Sequence, residues 1–121
     1  MPVSPRRHRP HSLCFVAGCS HSLRSQVGDF IDASAVPDPH DLTLWLTVNG
    51  VEKQRASTDL MIFKIDHLIE SVSAVMTLEP GDMICTGTPA GVGPAAPGDT
   101  IRAGIDGLCE IEFPVIARPL A

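Results

Sequence analysis

The chain has 121 residues, enough for one domain with a real core and no more. Its formal net charge of −5 is unevenly spread: residues 1–28 hold Arg6, Arg7, Arg9 and Arg24 with no acidic side chain, so residues 29–121 stand at −9. An acidic body without clustered Lys and Arg excludes nucleic acid as its partner, and no run approaches the ~18 uninterrupted apolar residues of a membrane span.

Residues 1–27 read as a basic, disordered extension, with Pro2, Pro5 and Pro10 early and only a brief apolar stretch from Leu13 to Ala17. An Arg-rich, acid-free segment has the composition of an organelle transit peptide, but three prolines break the amphipathic helix that such peptides form. The apolar stretch is also too short for the core of a secretory signal. Cys14, Cys19, Cys85 and Cys109 form no CxxC pair, and Cys85 and Cys109 lie in β-prone runs where a reduced, buried thiol is at home. These observations together predict a soluble, cytoplasmic protein. The cluster His11, Cys14, Cys19 and His21 matches no usual zinc-finger spacing, and no zinc is assigned to it.

From Gly28 the character changes. Phe30 and Ile31 are suited to start a strand, and Ala35-Val36-Pro37-Asp38-Pro39-His40 is a proline-fixed connector in which His40 reads as a solvated loop residue rather than a catalytic base. Leu42, Leu44, Leu46 and Val48 then alternate with Thr43, Trp45, Thr47 and Asn49, the period of a strand with one buried face. Asn49-Gly50 supplies a type I′ turn, so Val51 to Ala56 should return as the partner strand.

Ile65, Leu68, Ile69, Val72 and Val75 recur at helical spacing and predict a helix of about three turns with Asp66 at its start, as a cap or as a favourable charge. Pro80-Gly81 stops that element and turns the chain into Met83-Ile84-Cys85-Thr86, which reads as a strand.

That strand would feed the stretch around which the chain is organised, Thr86-Gly87-Thr88-Pro89-Ala90-Gly91-Val92-Gly93. Glycines let another molecule approach the backbone, and the N–H groups with the Thr86 and Thr88 hydroxyls can donate to an anion without carrying charge. No Lys-Ser or Lys-Thr follows, so this is not a Walker A loop. Taken alone, the pattern is more often that of a tight connection between strands.

Beyond it, Ile101, Ala103 and Ile105 alternate with Arg102 and Gly104, Asp106-Gly107 turns the chain, and Cys109, Ile111 and Phe113 face opposite to Glu110 and Glu112. This is a second hairpin. Glu110 and Glu112 have a spacing that two metal ligands on one strand face would share, yet alternation beside a buried face accounts for them as solvated residues.

Taken in order, Asp38-Pro39-His40-Asp41-Leu42, Leu44-Trp45-Leu46, Val48-Asn49-Gly50, Asp59-Leu60-Met61-Ile62-Phe63, Leu78-Glu79-Pro80-Gly81-Asp82 and the glycine stretch from Thr86 to Gly93 form a specific set. It resembles the carboxy-terminal part of the fumarylacetoacetate hydrolase family. Gly93-Pro94, Gly98-Asp99 and Ala103-Gly104-Ile105-Asp106-Gly107-Leu108 are most similar to its short acylpyruvase and oxaloacetate decarboxylase branch, and the resemblance covers residues 28–121.

The resemblance implies a mixed, β-rich α+β fold, here a partial β-roll with hairpins and one short helix, within a catalytic domain that forms homodimers. It implies an enzyme, a hydrolase or decarboxylase, that breaks C–C bonds of small β-keto or β-diketo carboxylates with Mg²⁺ or Mn²⁺ as Lewis acid. It assigns substrate binding to Thr88, through a hydrogen bond to the substrate carboxylate, and to Gly87, through backbone access. The family's metal carboxylates, its His-Glu pair and its lysine lie upstream of the matched motifs, and residues 1–27 contain no Asp, Glu or Lys. No catalytic residue and no metal ligand is therefore assigned in this chain, and the N-terminus resembles a truncated or out-of-frame start. The alternative reading is a non-catalytic remnant, a small-carboxylate-binding or dimerisation module without the metal site.

Overall fold

The structure, a computed structural model, describes residues 12–13, 16–18 and 25–117. In chain order its strands and helix are β1 (Ser12–Leu13), β2 (Val16–Gly18), β3 (Ser25–Val27), β4 (Ile31–Asp32), β5 (Thr43–Val48), β6 (Val51–Ser57), α1 (Ile65–Ser73), β7 (Thr100–Ile105) and β8 (Cys109–Pro114). Both expected hairpins form, and they join into one antiparallel sheet of order β6-β5-β7-β8.

The sheet's two faces follow from register, because directly opposed residues point to the same side. Leu44, Leu46 and Val48 of β5 stand opposite Ile105, Ala103 and Ile101 of β7, which in turn oppose Cys109, Ile111 and Phe113 of β8. These rows make the apolar face, and Ile101, Ala103 and Ile105 at its centre are its fully buried core. The other face is polar: Arg102 lies with its guanidinium carbon 5.9 Å from the centre of the Trp45 ring. The same guanidinium donates to both Glu110 carboxylate oxygens at 3.0 and 3.1 Å and lies 3.2 Å from Glu112. Glu110 and Glu112 thus share one arginine and stay largely exposed, in agreement with their reading as surface residues.

Asn49 (φ 52°) and Gly50 (φ 76°) adopt the left-handed conformation that a type I′ turn demands. Asn49 also ties the turn to β7: its carbonyl oxygen Oδ1 accepts from the Thr100 N–H at 2.9 Å, and its amide donates to Asp99 at 2.8 Å. The Ala96 N–H and then the Asn49 amide hold the Asp99 carboxyl below its usual range. At the far end of the hairpin, buried Thr58 exchanges two hydrogen bonds with Leu42, its N–H donating to the Leu42 carbonyl and its hydroxyl accepting from the Leu42 N–H.

β6 carries a bulge. Leu46 pairs with Gln54 but Thr47 pairs with Glu52, leaving Lys53 without an opposite number. A bulge advances the side-chain phase by one. Val51, Gln54 and Ala56 consequently share the apolar face with Val48, Leu46 and Leu44.

Three local expectations are corrected. Met83–Thr86 is not a strand: it makes no ladder with any described residue, and Met83 and Cys85 are exposed. β-propensity yields a strand only where the segment pairs with a neighbouring edge, and this one pairs with none among the described residues. The helix stops at Ser73, short of Val75, and its first N–H groups are not capped by Asp66. Instead Nε2 of His40 accepts from the Ile65 N–H at 3.1 Å. His40 is therefore a half-buried helix cap rather than a solvated loop residue, with its Nδ1 3.7 Å from Asp38.

Ile65, Leu68 and Val72 of α1 are half-buried while Ile69 and Val75 stay exposed, so the apolar stripe is only partly covered among the described residues. Toward the N-terminus, β2 pairs with β3, and β1 pairs with β4 across the division drawn at residue 28. No helix among the described residues is long and apolar enough to cross a membrane.

Candidate functional site

Pro80-Gly81 forms the turn that launches the glycine-bearing segment. The Asp82 N–H donates to the Glu79 carbonyl at 3.0 Å, the Glu79 N–H donates back to the Asp82 carboxylate at 2.8 Å, and Gly81 takes φ 103°. The chain then runs without assigned secondary structure to Gly87, whose φ is 98°, and Thr88 beyond it meets β6 through Gln54.

The loop is seated on the sheet at the β6 bulge. A Cβ at Gly91 would collide with the Lys53 carbonyl oxygen and press on the Gln54 side chain, so only glycine allows this approach. From the bulge, Gln54 reaches across. Its Nε2 donates to the Thr88 hydroxyl oxygen at 2.9 Å and to the Pro89 carbonyl at 2.9 Å, with the Ala90 carbonyl at 3.4 Å. Thr86, Gly87 and Thr88 are exposed above that anchor. Among the described residues nothing accepts from the Gly87 and Thr88 N–H groups.

Both residues assigned from the sequence therefore lie side by side on an open surface rich in hydrogen-bond donors. Gln54 was missed. Its one visible signal is a polar residue in a short strand whose two small apolar residues, Val51 and Ala56, are an odd number of positions apart and so share a face only across a bulge.

Thr88, Pro89 and Ala90 offer neutral oxygens that Gln54 already engages, whereas Mg²⁺ and Mn²⁺ want several oxygens including carboxylates. The acidic groups nearby on the sheet are committed elsewhere: Arg55 binds Glu52 at 2.7 Å and Asp106 at 2.9 Å, contacts that raise its own pKa. Among the described residues no three His, Cys, Asp or Glu side chains come together as a metal site. The residues present do not fit the implied metal. His11, Cys14, Cys19 and His21 lie outside the described residues.

Burial pushes the half-buried Cys109 thiol up, which keeps it protonated, and Cys85 is exposed rather than buried as its apolar run suggested.

A family model described as fumarylacetoacetate (FAA) hydrolase C-terminal matches residues 6–116. The chain belongs to the fumarylacetoacetate hydrolase family. Within that family it is 48% identical over 101 residues to the mitochondrial oxaloacetate tautomerase FAHD1 of Bos taurus, a match covering 84% of this chain and 43% of the relative. A mitochondrial oxaloacetate decarboxylase of Dictyostelium discoideum is 45% identical over 108 residues, with 88% of this chain and 50% of the relative covered.

The crystal structure of a maleylpyruvate hydrolase from Sphingobium sp. SYK-6, in complex with manganese(II) and pyruvate, superposes with a TM-score of 0.73 at 46% identity, over 76% of this chain and 35% of that one. The partial α+β fold expected of this family is the one observed. The chain spans half or less of the length of the relatives named here. The cytoplasmic location expected from composition is overturned, because both curated relatives are named mitochondrial.

Proposed function

We propose that Thr88 and Gly87 hold the carboxylate of a small β-keto or β-diketo acid, within an enzyme that cleaves, decarboxylates or tautomerises oxaloacetate- or acylpyruvate-like substrates. The observation that carries this reading is the exposed Thr88 hydroxyl, bonded through its oxygen to Gln54 and so left with its proton to donate, beside two uncommitted N–H groups. A carboxylate accepts several such bonds at once, and charge-assisted bonds of this kind are about twice as strong as neutral ones. Pyruvate, bound with manganese in the maleylpyruvate hydrolase, is an α-keto acid, the 2-oxo carboxylate fragment that oxaloacetate and the acylpyruvates share. We assign to the same reading a Mg²⁺ or Mn²⁺ requirement met by ligands other than the described residues, assembly as a homodimer, a division into a basic segment 1–27 and a catalytic-domain portion 28–121, and a mitochondrial site of action.

A second reading is that this chain alone is a non-catalytic carboxylate-binding or dimerisation module. The arginine-paired Glu110, Glu112, Glu52 and Asp106, which leave no acidic trio for a metal among the described residues, favour it. One assay separates the two. The purified chain is given oxaloacetate or an acylpyruvate with Mg²⁺ or Mn²⁺, and loss of the enol or diketo absorbance is followed. Turnover that a chelator abolishes establishes the enzyme, and a rate equal to the protein-free control establishes the module.

A further inference from the structure

Gln54 occupies a place where packing alone would call for an aliphatic side chain. It stands in the row Gln54, Leu46, Ala103, Ile111 on the apolar face of the sheet, half-buried, and reaches it only because Lys53 bulges. We propose that Gln54 is the positioning residue of the Thr88 hydroxyl: it clamps the loop on β6 and fixes that hydroxyl as a donor to an incoming carboxylate. This rests on the carboxylate-anchoring reading of Thr88.

The orientation of the carboxamide follows from its partners. The Pro89 and Ala90 carbonyls can only accept, so the group facing them is the NH₂ and not the oxygen. That nitrogen has two protons and makes two short contacts, one to Pro89 and one to Thr88. The Thr88 oxygen is then an acceptor from Gln54, and its single proton remains for donation to another group. Without Gln54, the same hydroxyl is free to donate to a neighbouring backbone carbonyl, and would then present only lone pairs to an anion and repel it. Polarisation through the donor chain strengthens the bond that this proton makes. Gly91 completes the device by letting the loop come within reach of the carboxamide.

The test compares the ¹⁵N-labelled wild-type chain with Gln54→Met, which keeps the length of the side chain and removes the donor, and with Gln54→Glu, whose carboxylate cannot donate to the two carbonyls. Arg55→Met, the next residue on the same strand but on the opposite face, is the control for general damage to β6. Unchanged amide resonances of β5 and β7 certify the fold in each variant. Two quantities are read: backbone order parameters over residues 87–91 and the dissociation constant for pyruvate.

In wild type and Arg55→Met the loop should be ordered, near about 0.85, and in both Gln54 variants it should fall below about 0.6. Pyruvate should bind about tenfold more weakly to the Gln54 variants, as the loss of one charge-directed hydrogen bond implies. The double variant Gln54→Met/Thr88→Val should lose less affinity than the sum of the two single losses, which a merely structural role for Gln54 would not produce. An ordered loop in Gln54→Met overturns the proposal, as does additive loss in the double variant. If wild type and Thr88→Val bind pyruvate equally, the carboxylate reading fails, and the order parameters alone then uphold or overturn the clamp.

Discussion

The apolar rows of the sheet and the segment from Leu60 to Asp99 are held by different physics. In the sheet, Ile101, Ala103 and Ile105 are almost wholly removed from water and each is flanked on both neighbouring strands by another apolar side chain. In the segment, Leu60, Ile62, Phe63, Val75, Met76 and Met83 are exposed, and order comes from single polar pegs: His40 under the helix, Gln54 under the loop, Asn49 against Asp99. Burial is cooperative and spread over many atoms, whereas a peg is one or two bonds. The candidate site lies on the pegged side, where a single side chain can set the geometry of a loop without changing the core.

If that contrast is right, Ile101→Ala should be the most damaging single change on the sheet. Ile101 is only 1% exposed, and truncating such a residue costs about 2–5 kcal/mol, read as a shift of the whole unfolding transition in urea. A transition that scarcely moved would mean that the sheet is not the stability core. His40→Ala tests the pegged side. It removes the acceptor of the Ile65 N–H and should cost about 1 kcal/mol, the usual loss for a helix cap, with faster exchange of the first amides of α1 and none in β7. An equal rise in exchange across β7 would erase the distinction between the two regions.

The legible parts of the chain were those in which local pattern and tertiary role coincide. Strict alternation from Leu42 to Asn49, the Asn49-Gly50 turn and the Ile101–Ile105 and Cys109–Phe113 phases all survive in the structure, because each strand has a partner available next to it in sequence or one step away. Met83–Thr86 has the same β-prone composition and fails for want of such a partner. His40 was misread because capping at a distance of 25 residues leaves no trace in local spacing. Gln54 was missed because the bulge at Lys53 reverses the phase of β6, so that a residue that seems to lie on the polar side of a simple alternation faces inward. Thr88 and Gly87 came from the family's motif rather than from periodicity. What the structure adds is the support beneath them.

The central claim is that the Thr88 loop, pinned at the β6 bulge, receives a small carboxylate. It is tested most directly by titrating the ¹⁵N-labelled chain with pyruvate and comparing it with Thr88→Val. The account predicts saturable shifts concentrated at Gly87 and Thr88 in the wild type and a loss of affinity of about tenfold or more in the variant. Shifts centred instead on the exposed guanidinium groups of Arg55 and Arg102, or equal affinity in the two proteins, would contradict it.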